Sequence, residues 1–189
     1  DRVRNSVGRP MEGTTIAVMD EKNTILPPNS IGEIAVAGAT VMKGYWNRPD
    51  ENKKAFDDKG YFHTGDMGMI DDGGFLVLSG RKKEMYIRGG ENVYPPEVEE
   101  AIARHPNVMM SAVVGRPDPV MGEVGRAYII PKPGTAITPD EIKAFLSDKL
   151  ARYKIPEDII FRNNLPLTPI GKVKKLDLYE EISREFRMK

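Results

Sequence analysis

The sequence predicts an α+β fold in two parts: a β-rich first part, and a small second part with helices packed on a short sheet. Three observations carry this. Alternating β-branched segments at residues 15–19 and 32–37 are separated by the turn-rich Leu26-Pro27-Pro28-Asn29-Ser30. Apolar runs at residues 67–70 and 75–78 flank Asp71-Asp72-Gly73-Gly74, whose Asp and Gly tolerate the positive φ of a hairpin turn. From Pro95 onward, apolar residues fall at helical spacing instead.

The first part therefore reads as strands and turns as far as Ser79. In the second, Pro95-Pro96-Glu97 opens a helix, with proline pre-set for the first turn and an acid facing the positive end of the helix dipole. Val98, Ala101 and Ile102 follow on its apolar face. Strands are expected at residues 111–115 and 127–131. Thr138-Pro139-Asp140-Glu141 has the form of a capping box, and Ile142, Phe145, Leu146 and Leu150 line one face of the helix it starts. A third strand at 158–161 and a last helix at 176–186 complete an order that sets helices against one sheet. The charged Gly80-Arg81-Lys82-Lys83-Glu84, between two different textures, reads as a linker.

Composition narrows the chemistry. Of 189 residues, 40% are hydrophobic and 30% charged, which suits a globular chain rather than a disordered one. Lys plus Arg and Asp plus Glu each number 28, so the net charge of 0 gives no bulk attraction to nucleic acid or to an anionic membrane. The absence of cysteine excludes disulfides, thiolate nucleophiles and Cys-ligated zinc. The two histidines, His63 and His105, are expected on the surface or in turns, and no metal site is expected. The longest apolar stretch, residues 34–42, is far short of the roughly 20 residues of a membrane helix. With no signal peptide visible, the expected location is cytoplasmic. The chain opens on Asp1 and runs at once into globular sequence, so the natural N-terminus is expected upstream.

Several residue types stand where chemistry could use them. Asp66 follows Gly65; an ionised carboxylate only accepts hydrogen bonds and suits paired hydroxyls, although the same Asp could cap a turn before Met67. Arg81 offers a rigid fork of donors for hydroxyls or phosphate, or is simply a solvated arginine in a charged linker. Lys172 follows the turn-forming Pro169-Ile170-Gly171, which would hold a compact cation out on a loop. Its neighbours Lys174 and Lys175 are expected to be solvated. Arg88-Gly89-Gly90 presents a bare backbone edge beside an arginine, or a plain turn before the helix at Pro95. The Met109-Met110 pair is expected in the core, with Tyr45 and Trp46 packing the end of a strand.

Four stretches, in order, carry a resemblance. They are Gly32-Glu33-Ile34 through Val41-Met42-Lys43-Gly44-Tyr45-Trp46; Tyr61-Phe62-His63-Thr64-Gly65-Asp66; Gly80-Arg81-Lys82-Lys83-Glu84 through Gly89-Gly90-Glu91-Asn92-Val93-Tyr94-Pro95; and Leu165-Pro166-Leu167-Thr168-Pro169-Ile170-Gly171-Lys172. Together they resemble the signature segments of the adenylate-forming (AMP-binding) superfamily, in the version found in acyl-CoA synthetases. The resemblance implies that residues 1–81 are the β-rich end of a large N-terminal AMP-binding domain and 82–189 a mobile C-terminal domain. It places Asp66 and Arg81 at the nucleotide, Lys83 at the pivot between domains, and Lys172 as the catalytic lysine. Gly89 and Gly90 would line the pantetheine path of CoA, with Arg88 within reach of a phosphate. Gly89 departs from plant ligases and luciferases, which carry lysine there.

The implied reaction joins a small-molecule carboxylate to CoA through an acyl-adenylate, using ATP, releasing AMP and requiring Mg²⁺. The phosphate loop, adenine segment and acyl pocket of the family have no counterpart in this sequence. The chain on its own is therefore expected to be inactive and to need the large N-terminal domain as partner. Apolar surface on residues 1–79 admits a homodimer. The alternatives are an adenylation domain that loads a carrier protein, and a non-catalytic binding or assembly module.

Overall fold

The structure, a computed structural model, describes residues 6–187; Asp1 and Lys189, the outer ends of the two expected domains, lie outside the described residues. The chain divides into two compact units, Asp1–Lys83 and Glu84–Lys189.

The first unit is one antiparallel sheet in the order β1-β2-β3-β4, made of β1 (Thr14–Met19), β2 (Gly32–Gly38), β3 (Phe62–Ile70) and β4 (Leu76–Arg81). Ala17, Met19 and Ala35 are buried together, with Tyr61 packed against them. The turn between β3 and β4 forms as its residues require. Asp71 Oδ1 accepts from the amides of Gly73 at 2.8 Å and Phe75 at 2.9 Å, while Gly74 takes φ +77°. A seven-residue helix, α1 (Pro49–Ala55), is absent from the sequence-based expectation. It has proline and two acids in its first turn but buries no residue, so it leaves no apolar stripe to detect. Tyr45 meets the edge of Phe62 as expected of a strand-end residue, but Trp46 is 96% exposed and so does not pack the strand end.

The second unit is built on a hairpin of two long strands, β7 (Val108–Asp118) and β8 (Gly122–Pro131). Before it come two short strands, β5 (Tyr86–Arg88) and β6 (Glu91–Val93), joined by Gly89 and Gly90 at φ +59° and +90°. A two-residue hairpin turn with both φ values positive is what paired glycines allow. Three-residue strands are too short to show alternation, so sequence reading leaves this hairpin as a turn. The sheet runs β6-β5-β8-β7, and β9 (Asp158–Phe161) pairs with β8 in parallel.

Alternation in β7 and β8 divides the core between two faces. Val113, Ala127 and Ile129 pack with Val98 and Ile102 of α2 (Pro95–Ala103) and with Ile142 and Leu146 of α3 (Pro139–Ser147). Ala112, Val114, Tyr128 and Ile130 pack on the other face against Leu178 and Ile182 of α4 (Lys175–Arg187). The capping box at α3 closes in both directions: the Thr138 amide donates to Glu141 Oε2 at 2.7 Å, and the Glu141 amide to Thr138 Oγ1 at 3.3 Å. Of the Met109-Met110 pair only Met110 packs on the core; Met109 points outward, beside a register shift in the β7–β8 ladder.

At the centre of the unit, Tyr86 lies across a pair of glycines. Gly115 and Gly125 face each other in the β7–β8 register, and a Cβ built on either would stand within 2.5 Å of Tyr86 atoms. Its hydroxyl is buried with no hydrogen-bond partner among the described residues. Among the described residues no helix is long and apolar enough to cross a membrane.

Candidate functional site

The segment Thr64-Gly65-Asp66 is a bulge in β3. Glu33 pairs with Met67 and Ala35 with His63, so Ile34 alone faces these three residues. Bulges of this kind bend a strand and re-aim its side chains. Gly65 takes φ +73°, which a side chain would resist. Thr64 Oγ1 donates to Ile34 O at 2.8 Å and accepts from the Asp66 amide at 3.0 Å, fixing the carboxylate's direction. On the next strand Arg81 is the register partner of Asp66, and its Nε stands 3.1 Å from Asp66 Oδ1. Both side chains keep solvent access, so the pair is an accessible polar fork rather than a buried ion pair. Beside it a cavity of about 370 Å³ is lined by Thr64, Gly65, Arg81, Lys82 and Lys83. Lys83 is exposed in the turn that ends the first unit.

Behind this fork sits a charged cluster that sequence reasoning missed. The Glu33 side chain is 12% exposed; Oε1 accepts from the Gly65 amide at 3.2 Å and Oε2 from Lys82 Nζ at 2.9 Å. His63, expected at the surface, is also only 12% exposed, with Nδ1 3.4 Å from Glu33 Oε2 and Nε2 3.9 Å from Asp57 Oδ2. No sequence pattern joins residues 33, 57, 63 and 82; only the strand pairing does. Burial pushes the Glu33 carboxyl up, but the hydrogen bond and charge of Lys82, with the charge of His63, outweigh it and hold it below its ordinary value.

A folded value below the unfolded one gives stability that is present above the ordinary glutamate value of 4.5 and is lost as pH falls through the folded value. Glu33→Ala is therefore expected to cost about 1–3 kcal/mol near neutral pH, because it strands the Gly65 amide and the Lys82 ammonium. The gap to wild type should close in acid. Urea unfolding from about pH 7 down to about pH 3 measures it; a gap that ignores pH would count against the assignment.

In the second unit Lys172 lies on a tight loop. The Lys172 amide donates to Thr168 Oγ1 at 3.1 Å, the Thr168 amide to Lys172 O at 2.7 Å, and Gly171 takes φ +78°. Val173 bridges to Leu167 behind it. The Lys172 side chain is exposed and makes no ion pair among the described residues, so its charge is free to meet an anion. Lys174 pairs at the surface with Asp177. Lys175 is not solvated as expected: it is held between Glu84 and Glu99.

Arg88 is committed within its own unit. Its Nη1 donates to the carbonyls of Tyr153 at 3.2 Å and Ile155 at 2.7 Å, and Nη2 pairs with Glu157 Oε2 at 2.8 Å. The structure thus gives this guanidinium a bracing role for the strand that leads into Gly89 and Gly90. The Gly89 amide donates to Met121 O at 2.8 Å and a Cβ on Gly89 would stand 2.7 Å from Met121 Cε, whereas a Cβ on Gly90 would meet nothing within 4 Å, so the turn is backed by Met121 at Gly89 and open at Gly90. His105 is also half structural: its ring meets the edge of Phe145 at 4.8 Å.

Comparison with known proteins gives these features a family. Residues 1–46 match the AMP-binding enzyme model, and residues 97–172 match the model of the AMP-binding enzyme C-terminal domain. The chain is 44% identical over 179 residues to a methyl-dioxo-octahydro-indenyl propanoyl:CoA ligase of Rhodococcus jostii, covering 95% of this chain and 33% of the ligase. It is 41% identical over 181 residues to a feruloyl-CoA synthase of Amycolatopsis, covering 96% and 36%. Among solved structures, ATP-bound MatB from Rhodopseudomonas palustris superposes with a TM-score of 0.87 at 39% identity, covering 94% of this chain and 35% of MatB. The o-succinylbenzoate CoA synthetase of Bacillus subtilis, with its acyl-adenylate intermediate, gives 0.86 at 34% identity, covering 93% and 35%. The chain thus spans about a third of the length of the relatives it matches. With its β3 bulge, its lysine loop and these relatives taken together, the chain belongs to the AMP-binding, adenylate-forming enzymes and carries their C-terminal domain.

Proposed function

We propose that the chain is the C-terminal portion of a cytoplasmic ATP-dependent carboxylate–CoA ligase, with residues 1–81 completing the large AMP-binding domain and 82–189 forming the mobile one. The observation that carries this reading is the meeting of Asp66 and Arg81 across β3 and β4, beside an open cavity. A carboxylate for hydroxyls next to a guanidinium for phosphate is the donor set a nucleotide needs. Lys172, without an ion pair among the described residues, supplies the cation that offsets repulsion when a carboxylate oxygen attacks the α-phosphate of ATP. The bond formed is acyl–O–P, and pyrophosphate leaves. The Gly89-Gly90 edge suits the passage of the pantetheine arm of CoA, whose thiol then takes the acyl group while AMP departs. Lys83, the exposed last residue of the first unit, is the pivot that exchanges one face for the other.

Mg²⁺ would be held chiefly by the phosphates of ATP, whose charge it would offset; among the described residues no group of three or more His, Cys, Asp or Glu forms a metal site of its own. The exposed apolar side chains of the first unit, Trp46 and Ile25 among them, suit the same reading: they are surface available to the rest of the large domain, or to a second copy when the chain is alone.

The test is to assay the chain by itself and joined behind the N-terminal two-thirds of a MatB-like ligase; two solved relatives are themselves chimeras of such enzymes. The joined protein is expected to form acyl-CoA from ATP, CoA and the host's carboxylate, and the chain alone is not. Thioester formation by the chain alone, or none by the joined protein, overturns the proposal.

A further inference from the structure

Lys175 stands three residues beyond Lys172 and opens α4. Its side chain is 14% exposed, and its Nζ lies 2.9 Å from Glu84 Oε2 and 2.8 Å from Glu99 Oε1. Glu99 belongs to α2, and the same Oε1 accepts the Val113 amide of β7 at 2.7 Å, so the sheet fixes that carboxylate. Glu84 is the first residue of the second unit and directly follows Lys83. Its carbonyl accepts from the Tyr179 hydroxyl, one turn along α4, at 3.5 Å. Burial first, and then the charges of Glu84, Glu123 and Glu99, push that hydroxyl up to about 12, which keeps it a donor.

There is little slack between this cluster and Lys172. The Lys174 amide donates to Pro166 O at 2.8 Å, and the Lys172 amide is held by Thr168. Without the ammonium, two half-buried carboxylates would face each other across the space it fills. One cation thus joins the exit of the lysine loop, helix α2 and the residue after the pivot.

We infer that Lys175 is a positioning residue that locks the Lys172 loop and Glu84 into one body, so that the flexible joint stops at Lys83. This rests on the ligase reading above. A hinge with a sharp end returns Lys172 to the same place on every swing. A hinge that ran on into residues 84 and 85 would not, and small misplacements of a catalytic group are costly.

Two measurements test it with Lys175→Met and Lys175→Arg. In the chain itself, Lys175→Met is expected to speed amide hydrogen exchange at Lys172 and Lys174 by about tenfold or more, leaving β7 and β8 unchanged. In the joined enzyme it should lower kcat for acyl-dependent ATP–pyrophosphate exchange by about ten- to a hundredfold at unchanged ATP KM. Thioester formation from preformed acyl-adenylate should not move, and Lys175→Arg should restore both readouts. A merely structural role would depress both half-reactions alike. Unchanged amide exchange overturns the lock; faster exchange with intact adenylation overturns its role in placing Lys172. If Lys175→Met unfolds, Glu84→Gln, which leaves the Lys175–Glu99 pair, should show the same pattern in smaller measure, and its silence overturns the inference. A wild-type joined enzyme without pyrophosphate exchange sinks the ligase reading, while amide exchange in the chain still decides whether the lock exists.

Discussion

Lys172→Ala should abolish most adenylation by the joined enzyme, about 10²–10³-fold in the rate of acyl-dependent pyrophosphate exchange, with no loss of stability. The magnitude is that of removing one preorganised group aimed at charge developing in a transition state. Two structural facts separate this from a folding defect. The Lys172 ammonium makes no ion pair among the described residues, and the loop is held by Thr168, the Lys172 backbone and the Leu167–Val173 bridge. Lys172→Arg keeps the charge but spreads it over a planar fork, and should recover only part of the rate. Thioester formation from preformed acyl-adenylate should be spared, since that half-reaction has no carboxylate–phosphate encounter to shield. Equal losses in both half-reactions, or a lowered unfolding midpoint, would refute the role given to this lysine.

Gly125→Ala should destabilise the second unit by about 1–3 kcal/mol, the usual cost of forcing extra volume into a packed core. Its new Cβ would stand 2.3 Å from the Tyr86 hydroxyl oxygen and 3.1 Å from Cζ. Tyr86→Phe alone should be nearly neutral, because the hydroxyl it removes is buried without a hydrogen-bond partner among the described residues. Combined with Gly125→Ala, it should recover part of the loss, since the closest remaining ring atom is Cζ. Gly115→Ala supplies the control. Its Cβ meets Tyr86 Cβ at 2.5 Å and Cγ at 2.9 Å, atoms that phenylalanine keeps, so Tyr86→Phe should rescue nothing there. Urea unfolding of the two double-mutant cycles decides the matter. Equal rescue at both glycines would show that the ring is not seated as described.

The sequence exposes those parts of the fold whose causes are local. The capping box at Thr138 and Glu141, the Asp71 turn and the apolar faces of α2 and α3 each depend on residues within a few positions of one another. His63 and Lys175 differ from expectation because their surroundings are set by residues distant in the chain, and Trp46 because it is exposed rather than packed on a strand end. Glu33 comes to His63 through the β2–β3 register, and Glu84 comes to Lys175 across 91 residues. Asp66 and Arg81 illustrate both sides. Their residue types point to a polar ligand, and the family resemblance to which one, but their spacing of 15 residues says nothing of contact. The β3–β4 register does.

The parallel pairing of β9 with β8 has a consequence for how the chain is made. Parallel neighbours cannot be joined by a tight turn, and here α3 and its flanking loops must be laid down between Pro131 and Asp158. A nascent chain that has emerged only through β8 therefore leaves open the side of β8 that β9 will cover, a template for pairing with other chains. The edge is sealed only when β9 emerges, and the far face of the sheet only when α4 does. Chains stopped between those points should be the ones that clump or draw chaperones. The lysine loop, lying between β9 and α4, is thus one of the last pieces of the protein to acquire its shape.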